Sequence, residues 1–393
     1  MTKNNPHNKK IKIPFFQPYI TNEDKKLINS ALDETLLTDG PKLVQFEKDF
    51  SKFCNSKYAI GVSNATSALQ LSLICSGIKK GDEVIIPNLT FVATASAVLL
   101  SGGTPVLADI DTNTLNLSIK SIKKNITKKT KAIIPVHFAG MPCDMKKITD
   151  IAKKNNLKII EDCAHAIGSK IGKKHVGTFG DAGCFSFYTT KNITTIEGGM
   201  VITNSKELAE KIRKKRNHGI TRTLQNRYAT GKPWDYDIEE PGYNFRLDEV
   251  RSTLGRNQLK KIKLFNKKRE NAFDYYSKNL EKIPGIIVPK NSSGLTNSYH
   301  LYIIRILNSF GISRDKLFEK LLENGIQTSV HYKPLSKFQI YKKRGKKYDS
   351  LKNSENIYKE IISLPFYTQI SKKELDIVVD IIKKIQQKNK MKK

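Results

Sequence analysis

Residues 157–203 read LKIIEDCAHAIGSKIGKKHVGTFGDAGCFSFYTTKNITTIEGGMVIT. The run opens on an apolar strand, LKIIED (157–162), which carries Asp162 to its carboxyl end. Two more strands follow, GCFSFY (183–188) and GGMVIT (198–203), and Lys191 lies between them. Its neighbours are small, hydroxylic and uncharged, and a Gly198-Gly199 pair closes the segment, an odd setting for a surface lysine. Short strands interleaved with helical segments indicate βαβ units and a mainly parallel sheet.

The same alternation extends outward. YAIGV (58–62), EVIIP (83–87), PVLADI (105–110) and KAIIPVHF (131–138) read as further strands, with helices at 65–78, 91–101, 144–155 and 205–217. In such sheets ligands sit beyond the carboxyl ends of the strands. The residues just after each strand are therefore the informative ones.

A lysine withdrawn from water has a lowered pKa and attacks carbonyls as a free amine, giving a Schiff base. A carboxylate at a strand end holds a pyridinium nitrogen protonated. Asp162 and Lys191 are thus the two groups that pyridoxal 5'-phosphate (PLP) chemistry requires. Taken singly, Asp162 reads as a helix cap and Lys191 as a loop lysine. The pair in context is more specific than either.

A phosphate needs its own cradle. VSNATSAL (62–69) leaves strand YAIG and opens a helix, and Ser63, Asn64, Thr66 and Ser67 bring polar side chains. Ala65 lets the backbone approach closely. Free N–H groups and the helix dipole make this an anion site, although an ordinary capped helix has the same look. Ser186 offers one more hydroxyl. Phe91, after strand EVIIP, is placed to stack on a cofactor or to fill a core.

Beyond residue 220 the pattern changes. Segment 221–241 is polar, carries Trp234, Pro233 and Pro241, and reads as a long surface loop. A long amphipathic helix over 247–281 leads to strand HLYIIRI (300–306), helix 313–325, a short strand near TSVHY (328–332) and a last helix from about 371. The expected division is 11–250 and 251–393.

The chain has 393 residues and a net charge of +32. That length supports a large core without disulfides or metals. Five scattered cysteines with no CxxC pair indicate reduced thiols and no structural zinc. No apolar run approaches the ~18 residues of a membrane span, and the start lacks a signal-peptide core, so a cytoplasmic location is expected. The lysines are spread along the chain without interleaved aromatics. They read as solvated faces, with no motif for specific nucleic-acid binding.

Taken in order, IPFFQPYIT, GPKLVQFEKDF, GDEVIIPNLTFVATASAV, PVHFAGMPCDM, EDCAHAIGSK, GTFGDAGCFSFYTTKNITTIEGGMV, GYNFRLDEV and HLYIIRI resemble the DegT/StrS family of PLP-dependent nucleotide-sugar aminotransferases. The likeness covers about 11–385. It implies the fold type I architecture: an α/β large domain with a mainly parallel sheet flanked by helices, and a smaller C-terminal α+β domain. By position, Lys191 would carry the cofactor, Asp162 would pair with its pyridine nitrogen and His165 would lie near the ring. Phe91 would stack, and Ala65, Thr66 and Ser186 would bind the phosphate. GYNFR (242–246) resembles a loop that reaches the neighbouring subunit's site, with Asn244 and Arg246 touching the partner's cofactor or substrate. A homodimer with shared sites would follow.

His331 falls where the family lines the sugar pocket, whereas His137 and His218 read equally as structural. A dehydratase branch carries histidine in place of the lysine, so Lys191 favours transamination. The implied reaction moves an amino group from L-glutamate to a nucleotide-linked keto sugar, at carbon 4 of a 6-deoxy sugar. A 3-keto sugar or a cyclitol is the alternative acceptor. A non-catalytic polyanion-binding module is the reading from a different class.

Overall fold

The computed structural model describes residues 11–221, 234–347 and 349–390. At its centre is a seven-stranded sheet of Tyr58–Val62 (β1), Glu83–Pro87 (β2), Thr104–Ala108 (β3), Thr130–Ile133 (β4), Lys158–Asp162 (β5), Ala182–Ser186 (β8) and Gly199–Thr203 (β9). The spatial order is β1-β9-β8-β5-β4-β2-β3, and β9 alone runs against the rest. These strands are short and almost wholly buried, as expected where helices cover both faces.

Alternation along each strand sorts side chains between two cores. Val62, Val84, Ile86, Ile160 and Val201 face one side, with the helices Ala65–Cys75, Val92–Leu100 and Lys206–Arg216. Ile85, Val106, Ile133 and Ile159 face the other, with helix Met145–Lys154. Next to them, Phe185, Met200 and Ile202 pack against helices Pro41–Cys54 and Glu249–Leu280. Period-two alternation therefore sends Glu161 and Asp162 to opposite faces.

Three two-residue strands, Lys170–Ile171 (β6), Lys174–His175 (β7) and Leu295–Thr296 (β11), form a small antiparallel sheet. Another joins Ile286–Ile287 (β10), Tyr302–Ile306 (β12) and Ile361–Leu364 (β13). It packs with Phe273, Tyr276, Leu317, Leu321, Val378 and Ile382 from three helices. Ile13, from the N-terminal arm, joins the same core and bridges to Ile326.

Several expected elements differ. The run 131–138 is a strand only to Ile133, because Pro135 has no N–H for a ladder. The strand expected near 328–332 is a single bridge, Ser329 to Ser363, and β13 takes its place in the small sheet. Helices Asn22–Leu32, Pro41–Cys54 and Lys352–Glu360 went unread. Most of the expected 221–241 loop, residues 222–233, lies outside the described residues.

Candidate active site

The carboxyl ends of β1, β2, β5 and β8 share one edge of the sheet, since these strands are parallel. Ser63–Thr66, Phe91, Asp162 and Ser186 follow directly from that topology. The connection from β8 to β9 also leaves and returns at this edge, and it carries Lys191.

The phosphate-like cradle is built from β1, β8 and β9. Asn64 caps helix Ala65–Cys75, its side chain accepting from Ser67 N–H at 2.9 Å. The first N–H groups of a helix have no intrahelical acceptor, and the dipole favours an anion there. Gly199 pairs with both Val62 and Ser186. A Cβ on Gly199 would lie 2.5 Å from Asn64 C and 2.8 Å from Ala65 N, so only glycine lets β9 pass this close. Ser186 is buried, and its Oγ accepts from Tyr188 N–H at 3.3 Å.

Asp162 is 5% exposed. Its Oδ2 accepts from Thr94 Oγ1 at 2.9 Å and its Oδ1 from Ala164 N–H at 3.1 Å. Burial pushes its pKa up, against these hydrogen bonds and the Lys191 charge. An ionised carboxylate has about four acceptor positions. Two protein donors are seen here, so there is room for a further cationic N–H.

Lys191 has its pKa lowered from 10.5 to about 8 by burial, with Asp162 opposing the shift. A free amine is therefore within reach near neutral pH, as an imine-forming lysine needs. The next residue anchors the backbone: Asn192 Nδ2 donates to Ser298 O at 2.5 Å and to Asn266 Oδ1 at 2.8 Å.

Aromatic and imidazole groups surround this pair. Phe91 is 55% exposed and lies 5.7 Å, centroid to centroid, from Tyr332. His165 Nδ1 accepts from Ala139 N–H at 3.3 Å, and its Nε2 meets Tyr332 Oη at 3.0 Å. The His165 and His300 rings are 4.4 Å apart. His331 pairs with Ser363 Oγ at 2.8 Å and stacks on Phe15. Burial and the Lys191 charge depress the pKa of His165 and His331, the latter to about 3, so both rings are neutral.

The single chain does not bring Asn244 and Arg246 into this group. Asn244 is exposed, and Arg246 turns to Asn217 Oδ1 at 2.5 Å and Asp39 at 3.8 Å. Their segment is tied to Lys215, Arg216 and Ser63 by backbone bonds.

His137 is structural: its Nδ1 accepts from Cys143 N–H and its Nε2 meets Glu161 at 3.0 Å. His218 sits in the left-handed region, its N–H donating to Tyr243 O. His137, Glu161 and Cys163 lie close enough to suggest a metal cluster. Glu161, however, already accepts from Gly177, Phe179 and Gly180 N–H besides His137, so its acceptor positions are spent.

Sequence reading missed Thr94, Asn192, His300 and Tyr332. A weak signal existed for two of them. Thr94 is a hydroxyl one helical turn after Phe91 in an apolar helix, and Tyr332 adjoins His331.

Comparison with known proteins identifies the family. The model of the DegT/DnrJ/EryC1/StrS aminotransferase family matches residues 18–383. Spore coat polysaccharide biosynthesis protein SpsC of Bacillus subtilis is 38% identical, covering 95% of this chain and 97% of that protein. GDP-perosamine synthase of Escherichia coli O157:H7 is 35% identical, covering 94% and 97%. Among solved structures, Helicobacter pylori PseC, an aminotransferase involved in the biosynthesis of pseudoaminic acid, superposes with a TM-score of 0.88 at 32% identity, covering 97% and 100%. The chain belongs to the DegT/DnrJ/EryC1/StrS aminotransferase family and has its fold type I architecture; it is a PLP-dependent sugar aminotransferase.

Proposed function

We propose that this family member transfers an amino group from L-glutamate to the 4-keto group of a nucleotide-linked 6-deoxy sugar, and that Lys191 is its central residue. The observation that supports this reading best is the pair of a half-buried amine with a pKa near 8 and a buried carboxylate with unused acceptor positions. The residues present fit PLP. Asp162 suits a pyridinium N–H, the Asn64–Thr66 helix start suits a phosphate, and Phe91 offers an open aromatic face. When bound, PLP supplies an aldehyde and an electron sink that carry the amino group between donor and acceptor.

The chain's own residues do the rest. Lys191 Nζ, as a free amine, would hold the aldehyde end of the cofactor, and once released it would take up and return a proton as a base. Asp162, held in place by Thr94 and Ala164, would stabilise positive charge on the ring nitrogen. Neutral His165 and His331 add no cationic charge that would further depress Lys191. Ala65, Thr66 and Ser186 would hold the phosphate, and His331 would line the sugar pocket.

A homodimer with shared sites belongs to the same reading. Exposed Asn244 and off-site Arg246 would reach the partner's cofactor or substrate. Mixing Lys191→Ala with Asn244→Ala protein tests this: hybrid dimers holding one intact site regain activity that neither parent has. Absence of regain, with hybrids verified, would remove the shared-site proposal.

The function itself is tested with enzyme whose yellow colour has been bleached by glutamate, titrated with a panel of keto sugars. Colour returning with nucleotide-linked 4-keto-6-deoxy sugars is the expected result. Return with 3-keto sugars or cyclitols alone would move the acceptor, and release of dehydrated sugar would indicate the dehydratase chemistry that Lys191 opposes.

A further inference from the structure

The hydrogen bonds around His165 run in one direction. Ala139 N–H can only donate, so His165 Nδ1 holds a lone pair. The neutral ring then carries its proton on Nε2, which points at Tyr332 Oη 3.0 Å away. Tyr332 is the acceptor in that bond, and its own O–H is left to donate elsewhere. Among the described residues the hydroxyl meets no other partner. The ring is held by Phe91 at 5.7 Å, Phe138 at 6.1 Å and His331 at 4.8 Å, and Asp162 lies close enough to act on it electrostatically. A phenol so fixed lies tilted against Phe91, the predicted stacking aromatic, and within electrostatic reach of Asp162.

We propose that Tyr332 is a ligand-binding residue of this site, its O–H donating to an oxygen of the molecule bound beside Lys191 while His165 fixes the direction of the bond. The acceptor is either the ring oxygen of PLP or an oxygen of the sugar. Both present the same chemistry, a hydroxyl or anionic oxygen with a free lone pair.

The proposal rests on the PLP reading given above. The test uses the full chain, wild type and Tyr332→Phe, with melting temperature recorded first. Phenylalanine keeps the ring contacts and removes the hydroxyl, both the free donor and the acceptor that His165 Nε2 uses, and an unchanged melting temperature establishes that the fold is retained. If that variant does not fold, the same readings are taken with 3-fluorotyrosine incorporated in place of tyrosine, which alters the donor's acidity and preserves shape.

Losing one hydrogen bond to a bound oxygen weakens binding about tenfold. If PLP is the acceptor, Tyr332→Phe binds PLP about tenfold more weakly in an absorbance titration. The pH at which the bound colour changes also shifts, without any sugar present. If the sugar is the acceptor, PLP titration is unchanged, and KM rises about tenfold for the panel sugar that wild type accepts. A variant equal to wild type in PLP affinity, colour titration and sugar KM overturns the proposal. A wild type that takes up no PLP colour instead defeats the underlying reading, so the two failures are distinct.

Discussion

Glu161 and Asp162 are consecutive carboxylates at the end of one strand, yet their surroundings are opposite. Glu161 faces the side where the 177–180 loop closes over it, and four donors saturate it: His137 and the amides of Gly177, Phe179 and Gly180. Gly177, at φ +88°, permits the turn that aims its amide inward. Asp162 faces the other side, with two donors and Lys191 nearby. Sequence spacing alone separates the two by one position, and the pleat turns that step into a division between scaffold and chemistry. Spare acceptor capacity, more than burial, marks the carboxylate of the site.

The largest effect belongs to the Asp162 side. Lys191→Ala is expected to lower turnover about a thousandfold or more while the fold is retained. Measured rates within tenfold of wild type would place the chemistry elsewhere.

The next pair of variants sets the two carboxylates against each other. Asp162→Asn keeps shape, removes the charge and should cost about a hundredfold in turnover, with stability little changed. Glu161→Gln should do the reverse, losing about 2–4 kcal/mol in denaturant unfolding, since an amide cannot accept from all four donors. If both variants lost stability equally and activity equally, the contrast between the two faces would be wrong.

A pH series sharpens the same contrast. The Lys191 pKa is about 8 in the fold against 10.5 unperturbed, so the folded state binds fewer protons between those values. The penalty for holding the charged amine is full below about pH 8 and fades as pH rises towards 10.5. Cofactor-free Lys191→Met should therefore melt higher than cofactor-free wild type at neutral pH, and the gap should narrow as pH rises. A gap independent of pH would mean that the lysine is not desolvated.

The smallest effect is at the support of Asp162. Thr94→Val removes the hydrogen bond to Asp162, about 1 kcal/mol, together with the one shared with Thr90, and should appear as several-fold weaker PLP binding in an absorbance titration. Unchanged binding would show that Thr94 does not orient the carboxylate.

Much of this arrangement was legible in the sequence. Strands buried on both faces are continuous apolar runs, so YAIGV, EVIIP and LKIIED could be read directly, and their carboxyl ends pointed to Ala65 and Thr66, Phe91 and Asp162. The small sheet was harder. Its strand Ile361–Leu364 follows helix Lys352–Glu360 without a break, and TSVHY resembled a strand while making only one bridge. Thr94, His300 and Tyr332 were missed because their partners are 68, 108 and 167 positions away. Only the tertiary fold brings them to Asp162, Asn192 and His165. Asn244 and Arg246 came from family resemblance alone, and no contact among the described residues joins them to Asp162 or Lys191.

The most direct test of the central claim is the absorbance spectrum of PLP-loaded protein before and after L-glutamate, for wild type and Asp162→Asn. The account predicts a yellow band in wild type that bleaches with glutamate, and bleaching that is far slower in Asp162→Asn. A wild-type band indifferent to every amino donor, or an Asp162→Asn protein that bleaches at the wild-type rate, would contradict it.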